Sequence, residues 1–495
     1  MRLSFFITYF CAKQFAMRIS FSLFLISLFA SIQSFSQLRL PSVISSGMVL
    51  QQNDSVTLWG WGYSGQNIKV TGSWNNVTAT GKIANTAKWS IKLKTPAAGG
   101  PYTISVKADW NNEIVLNDIM IGEVWLCSGQ SNMEWGYYNG AGFIKQELPT
   151  CYNKNIRFFQ IPRGTSDYPQ EDLKASWQVC DSNSIKAFSA IGYYFGKKLQ
   201  QDMNIPIGLI NASWGGTPAE VWTPAEVVND NETLKQAAAK VKEFDWWSSK
   251  PGLNYNGMLA PVTKFNIAGA IWYQGESNTE TNSTYAQLLT AMIDSWRNKW
   301  GRQLSFYYVQ IAPYKYGGQN IGALLQEQQT KVMSYPGTGM VVVTDLIDSV
   351  TNIHPSNKRD VGNRLANWAL AETYHKNVGA YKSPMFSKAE PVKDKLVLSF
   401  LNATGGLMAK DKTITGFYIS GEKEEWLPAE AKIVPGTSPG QGDKIIVWNK
   451  NLKQPVYVRY GFGNTIIGNI SGKEGLPLCA FRTDNWPVDQ SPVKD

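Results

Sequence analysis

Val124-Trp125-Leu126-Cys127 runs directly into Ser128-Gly129-Gln130-Ser131-Asn132-Met133-Glu134. Apolar residues of strand length give way to small and polar ones, as where a buried strand ends at a turn. The same change recurs downstream. Residues 207–211 lead into Ser213-Trp214-Gly215-Gly216-Thr217-Pro218, and 267–273 into Gln274-Gly275-Glu276-Ser277-Asn278. Residues 340–344 lead to Asp345, Asp348 and then His354-Pro355, and a further apolar run occupies 305–311. Helical patterns fill the gaps. Ser283 can cap a helix presenting Tyr285, Leu288, Met292 and Trp296 on one face; residues 188–199 form a second; Ser356 can cap a third whose inner stripe is Val361, Leu365 and Trp368. Five strands alternating with helices predict an α/β domain over 119–379, its parallel sheet wrapped on both faces.

Outside these limits the periodicity is that of strands. Residues 55–61, 68–71, 89–93 and 102–106 are short strand patterns separated by Gly/Asn turns, which predicts a small β-sandwich over 37–118. Strand patterns return at 395–400, 415–419, 444–448 and 456–459, defining a C-terminal β region over 380–495. The first 36 residues read as an address. Met17-Arg18 opens a short positive region, 21–30 is an apolar run of signal-peptide length, and Ser34 and Ser36 place small residues before a cleavage site at Gln37. Residues 1–16 then precede the true start at Met17. The apolar run is shorter than the ~20 residues that span a bilayer. The expectation is a secreted or periplasmic protein, with no membrane association after signal removal.

The chain has 495 residues, 43% hydrophobic and 17% charged, which is a globular composition and too long for one domain. Its net charge of +9 falls to +6 without the leader, which carries Arg2, Lys13 and Arg18 and no acid. That excess is dispersed along the chain, so no nucleic-acid partner is expected. Nineteen Trp, 22 Tyr and 21 Phe provide core packing and stacking surface for sugars. Only His354 and His375 exist, which removes His-rich metal sites, and no CxxC spacing is present. No metal or organic cofactor is expected. Cys151 and Cys180 flank a polar stretch that a disulfide could close, whereas Cys127 reads as a buried free thiol.

Ligands of doubly wound sheets bind beyond the C-terminal ends of the strands, where the small and titratable residues of this chain gather. A Ser just past the first strand can expose its hydroxyl beside backbone N–H groups, and needs an adjacent base to become a nucleophile. His354 follows the last sheet strand and can face that rim. His375 lies late in the next helix, where a surface role is simpler. Singly, Ser131 could be a helix cap, Gly215-Gly216 a tight turn, and Asn278 a cap of the following helix. Glu123, Glu134 and Glu276 raise a rival, since paired carboxylates hydrolyse glycosidic bonds. That rival explains neither the Ser–Gly–Asn set nor the lone His after the last strand.

Taken in order, Gly-Gln-Ser-Asn-Met, Trp-Gly-Gly-Thr-Pro-Ala-Glu-Val-Trp, Trp-Tyr-Gln-Gly-Glu-Ser-Asn and Ile-His-Pro resemble the SGNH hydrolases, and within them the sialate O-acetylesterase family. Leu40-Pro41, Met48-Val49-Leu50-Gln51, Tyr255-Asn256-Gly257-Met258 and Phe481-Arg482-Thr483-Asp484 carry the resemblance across nearly the whole mature chain. It implies a flavodoxin-like sheet with flanking β regions, and hydrolysis of O-acetyl esters on sugars through an acyl-enzyme. By position it implies Ser131 as nucleophile, His354 as base, and Gly216 and Asn278 as oxyanion donors beside the Ser131 N–H, with Gln274 competing for the place of Asn278. The expected substrate is an acetylated glycan or sialic acid. An acetylxylan esterase and a non-catalytic glycan-binding protein are the alternatives. One feature departs from the family. SGNH enzymes carry Asp three residues before the His, and Thr351 stands there. The third triad member is open among Asp345, Asp348, Asn352 and a backbone carbonyl. With an unshifted histidine near pH 6.5, kcat/KM would fall on the acid side of that value.

Overall fold

The computed structural model describes residues 38–109, 113–436 and 442–493. The expected leader and its cleavage site before Gln37 lie outside the described residues.

Seven strands build the central sheet: β1 (Ile114–Gly129), β2 (Asn153–Gln160), β3 (Trp177–Cys180), β4 (Ile207–Ser213), β5 (Gly269–Tyr273), β6 (Ser305–Val309) and β7 (Thr338–Val341). Their spatial order is β7-β6-β5-β1-β4-β2-β3. Neighbours from β7 through to β2 are parallel, and β3 closes the edge antiparallel to β2. Every residue of β4 and β5 is buried, which is why these strands read as unbroken apolar runs rather than alternating ones. The main helices are α2 (Ala190–Met203), α3 (Tyr285–Trp300), α4 (Ile321–Val332) and α5 (Lys358–Trp368), after a single turn, α1 (Ser131–Glu134), directly beyond β1. This is the doubly wound, flavodoxin-like α/β architecture expected of the sequence. β1 lies between β4 and β5, where the strand order reverses, so a crevice opens at its C-terminal end.

Two caps differ from expectation. Asn357 rather than Ser356 caps α5, its side chain accepting the Asp360 N–H at 3.1 Å. Ser356 is held outside the helix by Asp348, which accepts both its N–H (2.7 Å) and its hydroxyl (2.8 Å). Before α3 the chain makes a 3₁₀ stretch, Glu276–Thr284, that contains Ser283. Short polar side chains compete equally for neighbouring cap positions, so their order is settled by tertiary partners.

The 16-residue β1 serves two regions. Its first part pairs antiparallel with Gly99–Ala108, and from Glu123 onward it pairs parallel with β4. Position 118/119, expected as a domain limit, therefore falls inside one strand. The core is continuous across it: Val56, Leu58, Ile104 and Val106 belong to the same buried cluster as Leu126, Trp272 and Leu289. The C-terminal region has its own core, including Leu396, Ile419, Ile445 and Val458, between antiparallel sheets. It is tied to α4 by Arg482, whose guanidinium meets Glu327 at 3.0 Å. No described helix is long and apolar enough to cross a membrane.

Candidate active site

At the end of β1 the backbone must turn tightly against β5. Gly129 has φ of 137°, and a Cβ there would lie 2.2 Å from the Tyr273 carbonyl oxygen, so only glycine fits. The turn delivers Ser131 to the first position of α1. From the last loop His354 reaches back, and its Nε2 lies 2.8 Å from Ser131 Oγ. The imidazole is held by packing on one face, where Trp135 stacks on it with ring centroids 4.2 Å apart and planes 21° apart. With Nε2 accepting the serine proton, the ring's own proton sits on Nδ1. Burial, aided by the charge of Lys358, holds the His354 pKa down at about 4. That places the acid side of a His354-dependent rate far below the value of an unshifted histidine. His375 is exposed just past α5, with φ of 54°, away from the rim.

None of the residues considered for the third triad position bonds the imidazole. Asp345 is paired with Arg364 through two contacts of 2.8 and 2.5 Å. Asp348 holds Ser356 and receives Asn352 Nδ2 at 3.3 Å. Asn352 Oδ1 accepts the backbone N–H of His354 at 3.0 Å, so it fixes the loop and not the ring. Among the described residues Nδ1 of His354 has no protein acceptor.

From the β4 end come Gly215 and Gly216. Gly215 packs against Ser131, and its N–H donates to Glu134 Oε2 at 2.8 Å. Gly216 has φ of 80° and its α-carbon faces the Trp247 ring. Among the described residues the N–H groups of Ser131 and Gly216 donate to no protein acceptor. The two amides expected as further donors are engaged elsewhere. Asn278 Nδ2 donates to Glu220 (2.9 and 3.1 Å) and Thr281 (3.2 Å), and its Oδ1 accepts from Ala219 and Gln274. Gln274 Nε2 donates to Asn278 Oδ1 at 2.7 Å and the Thr217 carbonyl at 3.3 Å. Both amides are fully buried, and they brace the β4 and β5 loops against each other rather than pointing at Ser131.

The carboxylates do not form a glycosidase pair. Glu134 is neutralised by Arg163 at 2.6 Å, and Glu123 is bound by Gln51, Gln52 and Tyr374 at the start of the parallel part of β1, remote from the rim. Two cavities open beside residues that neighbour Ser131. A 190 Å³ cavity is lined by Gly216, Lys240, Lys242, Trp247 and Ser277, and a 340 Å³ one by Glu134, Tyr138, Gln160, Arg163 and Lys186. Trp222 is fully buried, with its indole N–H on the Thr217 hydroxyl. Cys151 and Cys180 are unbonded; the Cys180 thiol donates to the Cys151 carbonyl at 3.1 Å, and burial pushes its pKa up to about 12.

One residue escaped the sequence reading. Lys358 is buried, with its Nζ 2.5 Å from Asn132 Oδ1. It stands three positions before Val361 and seven before Leu365, on the apolar stripe of α5. A lysine on that stripe is the signal that identifies it.

A doubly wound sheet with a serine–histidine contact at its switch point, and free N–H groups beside the serine, defines a carboxylic-ester hydrolase of the SGNH type. The profile of the carbohydrate esterases described as sialic acid-specific acetylesterases matches residues 121–371. The solved carbohydrate acetylesterase from Xanthomonas citri is 34% identical, with a TM-score of 0.81 over 91% of this chain and 100% of its own. The sialate O-acetylesterase of Homo sapiens is 28% identical over 92% of this chain and 95% of its own length, and that of Mus musculus 26% identical over 86% and 89%. The chain belongs to the sialic acid-specific acetylesterase family of carbohydrate esterases.

Proposed function

We propose that the protein removes O-acetyl groups from sugars by a Ser131–His354 acyl-enzyme mechanism, with O-acetylated sialic acid as the substrate. His354 Nε2 takes the Ser131 proton as Oγ attacks the acetyl carbonyl carbon. The N–H groups of Ser131 and Gly216 receive the charge on the carbonyl oxygen. Collapse of the tetrahedral intermediate breaks the ester bond, and the imidazolium returns the proton to the departing sugar hydroxyl. Water, activated by the same nitrogen, then cleaves the acetyl-serine to acetate. The 2.8 Å Ser131–His354 contact is the observation that carries this reading.

The names of the relatives support sialate as the substrate class. The expected leader supports export, and with it a secreted or periplasmic enzyme acting on extracellular glycans. Acetate release from O-acetylated sialoglycans and from acetylated xylan tests the assignment. Faster turnover of the sialoglycan is expected; turnover of xylan alone would move the enzyme to the acetylxylan esterases. Failure to hydrolyse even p-nitrophenyl acetate would leave a glycan-binding protein.

A further inference from the structure

Asn132, next to the nucleophile and fully buried, joins three parts of the rim. Its Nδ2 donates to Glu276 Oε1 at 2.6 Å, beyond β5, and to the Ile353 carbonyl at 3.0 Å, one residue before His354. Its Oδ1 accepts from Lys358 Nζ at 2.5 Å, on the first turn of α5. The side-chain amide thus separates a carboxyl from an ammonium, its N–H end toward one and its C=O end toward the other. That arrangement fixes the amide's orientation and polarises it. The lysine has little else: its ammonium lies 5.6 Å from the Trp135 ring, which stacks on His354, and 5.7 Å from the Tyr273 ring. Among the described residues it has no ion pair within contact distance, and Glu276 Oε2 has no hydrogen-bond partner.

We propose that Lys358 is the positioning residue of this active site: bridged through Asn132, its ammonium ties the His354 loop to the nucleophile turn and keeps the imidazole in its neutral, proton-accepting form. The proposal rests on the Ser131–His354 reading. In a triad the carboxylate orients the histidine and favours its cation. Here orientation comes from the Trp135 stack, the Asn352 bond to the His354 backbone and the Asn132–Ile353 bond. The charged side chain that acts on the imidazole is a cation, Lys358, which has the opposite electrostatic sign. A base so held gives its proton readily to the leaving hydroxyl, and stays unprotonated in acid, at the cost of a less stable imidazolium during attack.

The charged and titratable groups around this centre are few. Glu276 and Tyr273 face Lys358 from β5 and its loop, and Asp348 and His354 from the last loop. Burial lowers the Lys358 pKa to about 7, against the opposing pull of Glu276 and Asp348, and burial raises that of Glu276. The ammonium is therefore charged throughout the range in which His354 titrates.

With only two histidines, the imidazole signals can be followed by NMR in histidine-labelled protein, independently of turnover. In the wild type His354 should titrate below pH 5, and the His375→Ala variant assigns its signal. Lys358→Met should raise the His354 midpoint by roughly 1 unit, and the acid limb of kcat/KM should follow it, while Lys358→Arg should leave it low. A lysine that only packs would cost stability and leave the His354 midpoint unmoved in Lys358→Met, which would overturn the proposal. Should Lys358→Met fail to fold, the wild-type titration still decides: a His354 midpoint at or above 6.5 overturns it. Full activity in Ser131→Ala would sink the catalytic reading itself, and is read separately from the titration.

Discussion

At Ser131 the hydroxyl lies 2.8 Å from His354 Nε2 while making no other bond that folding needs, so under the proposed mechanism Ser131→Ala should nearly abolish acetyl-ester hydrolysis and leave the melting temperature unchanged. Steady-state rates and a thermal melt check this together. His354→Ala should lower kcat on the order of 10³-fold or more, as loss of a triad member does elsewhere. His375→Ala should change little, because that ring is exposed beyond α5. The base works only when neutral, and its pKa is depressed to about 4. Activity is therefore present above that value and is lost as pH falls through it, which a kcat/KM profile in a low-salt buffer series will show. An acid limb at 6.5 would contradict the burial and the cation that depress it. The meeting of Ser131, Gly216 and His354 at one rim was legible in the sequence because each lies beyond the C-terminal end of a sheet strand with its own apolar signature. The engagement of the Asn278 and Gln274 amides with Glu220 and Thr217 was not legible, since those partners lie far away in sequence. Only the folded loops show where an amide's hydrogens go.

The loops after β4 and β7 carry their own expectations. At Gly216 the backbone is in the left-handed region, and a Cβ would stand 2.4 Å from the Trp247 ring. Gly216→Ala should displace this loop and its N–H, costing on the order of 10²-fold in kcat, as small displacements of catalytic groups do. Comparing kcat with KM separates that loss from weakened sugar binding. In the last loop, Asp345 is held by Arg364 and Asp348 by Ser356 and Asn352, so neither is free to act as a triad acid. Asp345→Asn and Asp348→Asn should each lose less than ~100-fold in kcat, well short of His354→Ala. A loss from either that matches His354→Ala in folded protein would make that aspartate the third member. Strand cores and helix stripes could be read from periodicity alone. The cap of α5 could not, because Ser356 and Asn357 are equally good caps and Asp348, eight residues earlier, draws Ser356 away.

Across the whole molecule the N-terminal strands and the hydrolase sheet share β1 and one buried core, which composition and spacing could not reveal. Two periodicities meeting near residue 118 look like two domains in sequence, yet one strand carries both. Deleting residues 38–118 should therefore strip Leu126, Met120 and their neighbours of apolar cover and yield an insoluble hydrolase. In the whole protein these two regions should melt in a single transition; a soluble, active fragment beginning at Ile119 would contradict a shared core. The central claim is that one serine, activated by one histidine, performs the chemistry. Peptide mass mapping after treatment with a serine-directed fluorophosphonate tests it most directly. The adduct should fall on Ser131 alone and form far more slowly in His354→Ala. An adduct on another serine, with Ser131→Ala still fully active, would contradict it.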